Sequence, residues 1–243
     1  IIEQEEAEKK EEAEKRQEEQ KKKEEQQERE QEQEQARIEE QRAREEEEQR
    51  KLEEQRRLEE QQAAEEARNA RGGLTIVLDP GHSAVVAPGT EPLGPGSSEY
   101  KAADASGTSG VASGMPEYEL TLNISVALKA ELENRGYTVL MTRESNDVPV
   151  SCIQRADVAN NANAAAYVRI HANGSENSGA QGAMTICTTA GSPYAAQLYS
   201  ASRNLSDCIL NKYCEATGCK SEGVWETDTM SGINWCQVPV TIV

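Results

Sequence analysis

Only two histidines occur in the 243 residues, and each closes a short apolar run. The runs are Leu74-Thr75-Ile76-Val77-Leu78-Asp79-Pro80-Gly81-His82 and Ala166-Tyr167-Val168-Arg169-Ile170-His171-Ala172-Asn173. Short runs rich in β-branched and apolar residues read as strands, and in an open α/β sheet ligands sit outside the carboxyl ends of the strands. Neutral imidazole is the commonest protein metal ligand. Two strands that each deliver an imidazole to one rim therefore supply two-thirds of a metal site. A single histidine at a strand end is more often a capping or hydrogen-bonding residue, but two in the same kind of position weaken that plainer account.

A catalytic zinc takes three protein ligands and keeps one position open. The third ligand must reach the rim that carries His82 and His171. Glu117 follows Pro116 at the start of an amphipathic segment, so its carboxylate stands in a first helical turn beside the strand ends. Glu119, two residues on, is its rival. The plainer reason for an acidic residue there is the positive end of the helix dipole.

The elements that would position these groups alternate between strand and helix. Glu117–Leu132 has helical spacing at Leu120, Ile124 and Leu128 and ends at Asn134-Arg135-Gly136. Tyr137–Thr142 reads as a strand, Gln154–Asn161 as a helix, Ala164–Ala172 as the strand bearing His171, and Gly182–Thr188 as a further strand. Ala195–Cys214 is a helix with apolar spacing at Leu198, Ala201, Leu205 and Ile209, and Val238–Val243 is a last strand. This order predicts an α/β fold, a mostly parallel sheet flanked by helices. Between the first strand and Pro116 lies a Gly/Ser/Pro/Ala-rich stretch, 83–115, long enough to be a functional or mobile loop over the His82 rim.

A different composition precedes all this. Residues 1–71 hold 27 Glu against 17 Lys plus Arg, with no Pro or Gly, and these are strong helix formers. Acidic residues often have a base four positions on, as in Glu5–Lys9, Glu6–Lys10, Glu11–Lys15 and Glu12–Arg16. Beyond Ile1-Ile2 the large apolar residues are only Ile38, Leu52 and Leu58, too few to fill a heptad seam. The segment reads as a long charged helix, solvated or partly disordered, that could serve self-association or partner docking. Gly72-Gly73 closes it, so two parts are expected, 1–71 and 72–243, the second long enough to bury a core.

The net charge of −18 with no basic stripe argues against a nucleic-acid partner and offers anionic lipid no attraction. No transmembrane run and no signal peptide is visible. The chain begins with Ile rather than Met, so a preceding segment is expected, and an export signal or membrane anchor is one reading of it that the sequence leaves open. The six cysteines are Cys152, Cys187, Cys208, Cys214, Cys219 and Cys236. No CxxC pair occurs, and an even count fits an oxidising compartment and at least one disulfide, most simply within Cys208–Cys219. Buried free thiols are the alternative.

Several of these pieces resemble one family. Val77-Leu78-Asp79-Pro80-Gly81-His82 is similar to the first zinc motif of the zinc-dependent N-acetylmuramoyl-L-alanine amidases of the amidase-3 type, which cleave bacterial peptidoglycan. Glu117-x-x-Leu120-Thr121-Leu122-Asn123 resembles the second ligand segment, and Ile170-His171-Ala172-Asn173 the third. Arg135-Gly136-Tyr137, Thr142-Arg143 and Arg155-x-x-x-Ala159-Asn160 match in order between them. The resemblance spans residues 74–243. It implies one Zn²⁺ held by His82, Glu117 and His171, with Asn173 and Arg155 as substrate contacts, and an exported enzyme acting at the cell wall. Its chemistry is hydrolysis of the amide between N-acetylmuramic acid and L-alanine, with a carboxylate passing the proton from water to the leaving amine.

The chain departs from the family at its end. There the last strand is followed directly by a catalytic glutamate, whereas Pro239-Val240-Thr241-Ile242-Val243 closes this sequence, so that residue is expected just past Val243. Two rival readings remain: a zinc-retaining wall-binding module without activity, and a structural protein whose charged helix is the main feature.

Overall fold

The computed structural model describes residues 2–177 and 179–243, which fall into two units, 1–65 and 66–243. The first unit lies within one helix, α1 (Ile2–Arg71). Its charged side chains pair along the helix, as in Glu40–Arg44 at 2.6 Å and Glu47–Lys51 at 2.6 Å. Each such exposed pair contributes only about 0.3–0.5 kcal/mol. Ile38, Leu52 and Leu58 stay exposed. The pairs expected at Glu5–Lys9, Glu6–Lys10, Glu11–Lys15 and Glu12–Arg16, and the Ile1-Ile2 start, involve side chains outside the described residues.

In the second unit the strands are β1 (Thr75–Pro80), β2 (Thr90–Pro92), β3 (Tyr100–Ala102), β4 (Thr138–Met141), β5 (Ala166–Ile170), β6 (Ala183–Cys187), β7 (Ser221–Glu226) and β8 (Val240–Ile242). The helices are α2 (Glu117–Asn134), α3 (Cys152–Asn161), α4 (Tyr199–Thr217) and α5 (Ser231–Asn234). Six strands form one sheet in the order β4-β1-β5-β8-β6-β7, parallel except where β8 meets β6. The mostly parallel α/β sheet flanked by helices, with a long helix before it, is thus the observed class. Val77 and Leu78 are both fully buried on opposite faces of β1, as expected of a strand covered on both sides. Tyr167, Ile186, Val240 and Ile242 pack with Ala156, Ala159 and Ile233 under α3 and α5. Leu78, Val139, Val168 and Ile170 pack with Leu128, Leu132 and Ile209 under α2 and α4.

Apolar spacing misplaces the inward faces of two helices. Leu120 and Ile124 are exposed, while α2 buries Glu117, Thr121 and Ser125. Helix α4 likewise buries Ser202, Ser206 and Leu210 rather than Ala201. Small hydroxyl residues let the helices lie close to the sheet, and each finds a partner. Thr121 Oγ1 donates to the Gly81 carbonyl (2.9 Å), Ser206 Oγ donates to Thr241 Oγ1 (2.7 Å), and Ser202 Oγ accepts from Val240 N–H (3.0 Å). Their burial therefore carries little penalty.

Helix α3 begins at Cys152, two residues before the expected start. Ser151 accepts from Gln154 N–H while Gln154 Oε1 accepts from Ser151 N–H, a capping box that the Ser-x-x-Gln pattern encodes. β7 and α5 are unexpected elements. The 83–115 stretch is not a featureless loop: β2 and β3 pair antiparallel inside it, and Ala87, Leu93 and Ala103 are buried. All six cysteines are free thiols, so the expected bridge is not closed here, although Cys214 and Cys219 Sγ stand 3.6 Å apart.

Candidate metal centre

β1 and β5 are neighbours in register, Pro80 opposite Ile170, so their ends release His82 and His171 side by side. Gly81 N–H donates to the Ile170 carbonyl at 2.9 Å, and a Cβ on Gly81 would stand 2.5 Å from His171 Cε1. Only glycine allows the strands to close this tightly. His82 follows with φ 62°, left-handed for a residue with a bulky side chain, a strain typical of functional turns. The two rings meet edge to face with centroids 4.8 Å apart.

A buried ion network holds the β1 turn. The Asp79 carboxylate, fully buried, accepts from Arg155 Nη1 (2.7 Å), Arg169 Nε (2.8 Å) and Thr142 Oγ1. Burial alone would raise its pKa, but the Arg169 and Arg155 charges outweigh that and hold it far below the carboxylate range. Arg143 reaches from the end of β4 to the Pro80 carbonyl (2.9 Å), the Gly81 carbonyl (3.1 Å) and the Tyr118 carbonyl (2.7 Å), tying the turn to the start of α2.

Glu117 opens α2 with its side chain only 3 % exposed. Its Oε1 lies 3.3 Å from His82 Nε2 and 3.1 Å from His171 Nδ1, and accepts from Ala172 N–H at 2.9 Å. Oε2 accepts from Thr108 N–H at 2.9 Å. Burial would raise the Glu117 pKa, yet these hydrogen bonds, led by those from His171 and His82, hold it well below the usual range. For His171, burial together with the Arg169 and His82 charges prevails over Glu117 and lowers its pKa. For His82 the balance runs the other way: Glu117 and the Ala105 carbonyl overcome burial and raise it.

His82, Glu117 and His171 offer three ligand atoms within 4.8 Å of one another. Tetrahedral zinc with N and O ligands at about 2.0–2.2 Å requires ligand atoms about 3.3–3.6 Å apart. The His82 contact to Glu117 Oε1, 3.3 Å, sits at the lower end of that range and the His171 contact, 3.1 Å, just below it, with every pair of ligand atoms within 4.8 Å. An anionic carboxylate with two imidazoles is also a donor set that zinc accepts, so the residues present fit the ion.

Glu119, the rival third ligand, is exposed and outside this group. Arg155 is 1 % exposed, and its guanidinium is engaged by Asp79 and by the Val150, Pro80 and His82 carbonyls. Asn173 is exposed two residues past His171. Glu222 and Glu226 belong to β7 at the far edge of the sheet, where Glu226 pairs with Arg203. A cavity of about 210 Å³ adjoins the centre, its lining including both histidines, Lys101, Asp104, Cys152, Arg155 and Arg169. Sequence reasoning missed Asp104 and its neighbours Ala105 and Thr108. The latter two act through backbone atoms, which side-chain type does not reveal.

The sequence profile of the N-acetylmuramoyl-L-alanine amidases (amidase 3) matches residues 76–243, and the chain belongs to that family. Among solved structures it resembles the N-acetylmuramyl-L-alanine amidase Ami1 of Mycobacterium smegmatis, at 25% identity and a TM-score of 0.62, over 70% of this chain and 80% of that one. The apo form of Ami1 from Mycobacterium abscessus compares at 26% identity and a TM-score of 0.62, covering 70% and 82%. The amidase of Clostridium difficile 630, at 21% identity and a TM-score of 0.54 over 70% and 78%, shares the fold. No curated protein sequence matches the chain.

Proposed function

We propose that this amidase uses His82, Glu117 and His171 to hold one zinc ion and hydrolyses the amide between N-acetylmuramic acid and L-alanine in peptidoglycan, acting outside the cytoplasm at the cell wall. The observation that carries the reading is the buried Glu117 carboxylate facing both of the chain's histidines at adjacent strand ends. His82, Glu117 and His171 would hold the zinc ion, which when bound would supply polarisation of an amide carbonyl and a bound water of pKa about 7.

The chain's own residues supply the rest. Glu117 remains anionic and offers charge to the ion. Gly81 and the Asp79 network keep the two imidazoles converged. Asn173, exposed beside the centre, is a hydrogen-bonding contact for the glycopeptide. The proton-accepting carboxylate of the family belongs directly after the last strand. β8 runs into the rim at that point: Val243 N–H donates to the Arg169 carbonyl (2.9 Å) and the Val243 carbonyl accepts from His171 N–H (3.0 Å). Among the described residues no helix is long and apolar enough to cross a membrane.

The test is digestion of purified wall at equal zinc occupancy, comparing a chain ending at Val243 with one carrying a glutamate after it. The extended chain should release new L-alanine amino termini about 10²–10⁴-fold faster, the usual contribution of a placed proton acceptor. Equal rates would move the proton acceptor to another residue. New reducing sugar ends without new amino termini would refute amidase action.

A further inference from the structure

The 83–115 stretch reaches two of the three candidate ligands through residues 105–108. His82 Nδ1 donates to the Ala105 carbonyl at 2.7 Å. A charged ring also donates from Nε2 to Glu117, whereas in the neutral imidazole that a metal requires Nε2 is left without a proton, free to act as the ligand atom. Thr108 N–H donates to Glu117 Oε2 (2.9 Å), and Glu117 N–H donates back to the Thr108 carbonyl (2.8 Å). Between these anchors runs Gly107, at φ 76°, where a Cβ would stand 2.8 Å from His82 Cδ2 and 2.9 Å from Glu117 Oε2. Thr108 is also wedged against the segment after β5: its Oγ1 lies 2.7 Å from where a Cβ on Gly174 would be.

We propose that residues 105–108 are a positioning clamp for the metal ligands, with Gly107 its critical residue. This rests on the zinc reading of His82, Glu117 and His171. Ala105 sets the tautomer of His82, and Thr108 fixes the free oxygen of Glu117, leaving Oε1 turned to the histidines. Gly107 is the one residue type that can pass between the two ligands without displacing either. Outer partners of this kind typically change metal affinity 10–100-fold. The stretch thus belongs to the metal centre itself.

The experiment is zinc titration of the full chain against a competing chelator, comparing wild type, Gly107→Ala and Gly96→Ala. Gly96 has φ 78° in the same stretch but nothing within 4 Å of its missing Cβ, so it shares the backbone strain without the crowding. Gly107→Ala should bind zinc about 10–100-fold more weakly, with Gly96→Ala within about threefold of wild type. A folded Gly107→Ala with wild-type affinity, or an equal loss in Gly96→Ala, overturns the clamp. Nitrogen NMR of zinc-loaded wild type tests it without substitution: the His82 proton should sit on Nδ1 and the metal-shifted signal on Nε2, and the reverse assignment overturns it. If wild type takes up no zinc at all, the metal reading fails and the clamp with it. Wild-type uptake with an unaffected Gly107→Ala refutes the clamp alone.

Discussion

Asp79 never meets the candidate ion, yet the geometry of the centre depends on it. Its carboxylate joins β1 to Arg155 on α3 and Arg169 on β5, and Arg155 continues to the His82 carbonyl at 3.0 Å. Removing one partner from a buried ionic group typically costs about 3–5 kcal/mol, because the others are left uncompensated. Asp79→Asn should lose about that much in urea unfolding near pH 7. The folded-state pKa lies far below the unfolded value of about 3.9, so the stabilisation is present above about pH 4 and is lost as pH falls. The gap between wild type and Asp79→Asn should therefore shrink as pH drops below about 4. A gap that persists unchanged into acid would show that the charge of Asp79 is not what holds the turn.

At the scale of elements, helices α2 and α4 turn inward the faces that carry Thr121, Ser125, Ser202 and Ser206. Leu120 and Ile124 stand exposed. Ile124→Ala should then change stability by less than about 0.5 kcal/mol, as surface substitutions do. Ser125→Leu should cost about 1–3 kcal/mol by overfilling the space between α2 and the sheet. Denaturation midpoints decide it, and the opposite ranking would restore Leu120 and Ile124 to the core. Strands β1, β5 and β6 were legible in the sequence because buried strands are continuous apolar runs, and β4, half exposed at the sheet edge, still carries the apolar run Val139-Leu140-Met141. The hydroxyl faces were not, since a hydrogen-bonded serine at a close helix–sheet contact looks like a surface residue to any apolar periodicity. β7 hid for a related reason: Ser221-Glu222-Gly223-Val224-Trp225-Glu226 is a half-exposed edge strand carrying two carboxylates. α5 spans only Ser231–Asn234, too short to show a period.

For the whole molecule, composition separates a charged helix from an α/β unit, and short motifs in order point to the amidase family. The convergence of His82 and His171 follows from adjacent strands ending in histidine. The choice of Glu117 over Glu119 follows from helix phase: Glu117 lies on the buried face with Thr121, and Glu119 points to solvent. The contribution of residues 105–108 was not legible, since carbonyls, amides and a missing Cβ leave no side-chain signature. The central claim is that these three residues together hold one zinc ion. Its most direct test is metal analysis of the purified chain beside His171→Ala, after equilibration with zinc and removal of loosely bound ion. Wild type should retain one zinc per chain and His171→Ala, still folded, essentially none. A His171→Ala protein that keeps one zinc per chain would contradict the assignment.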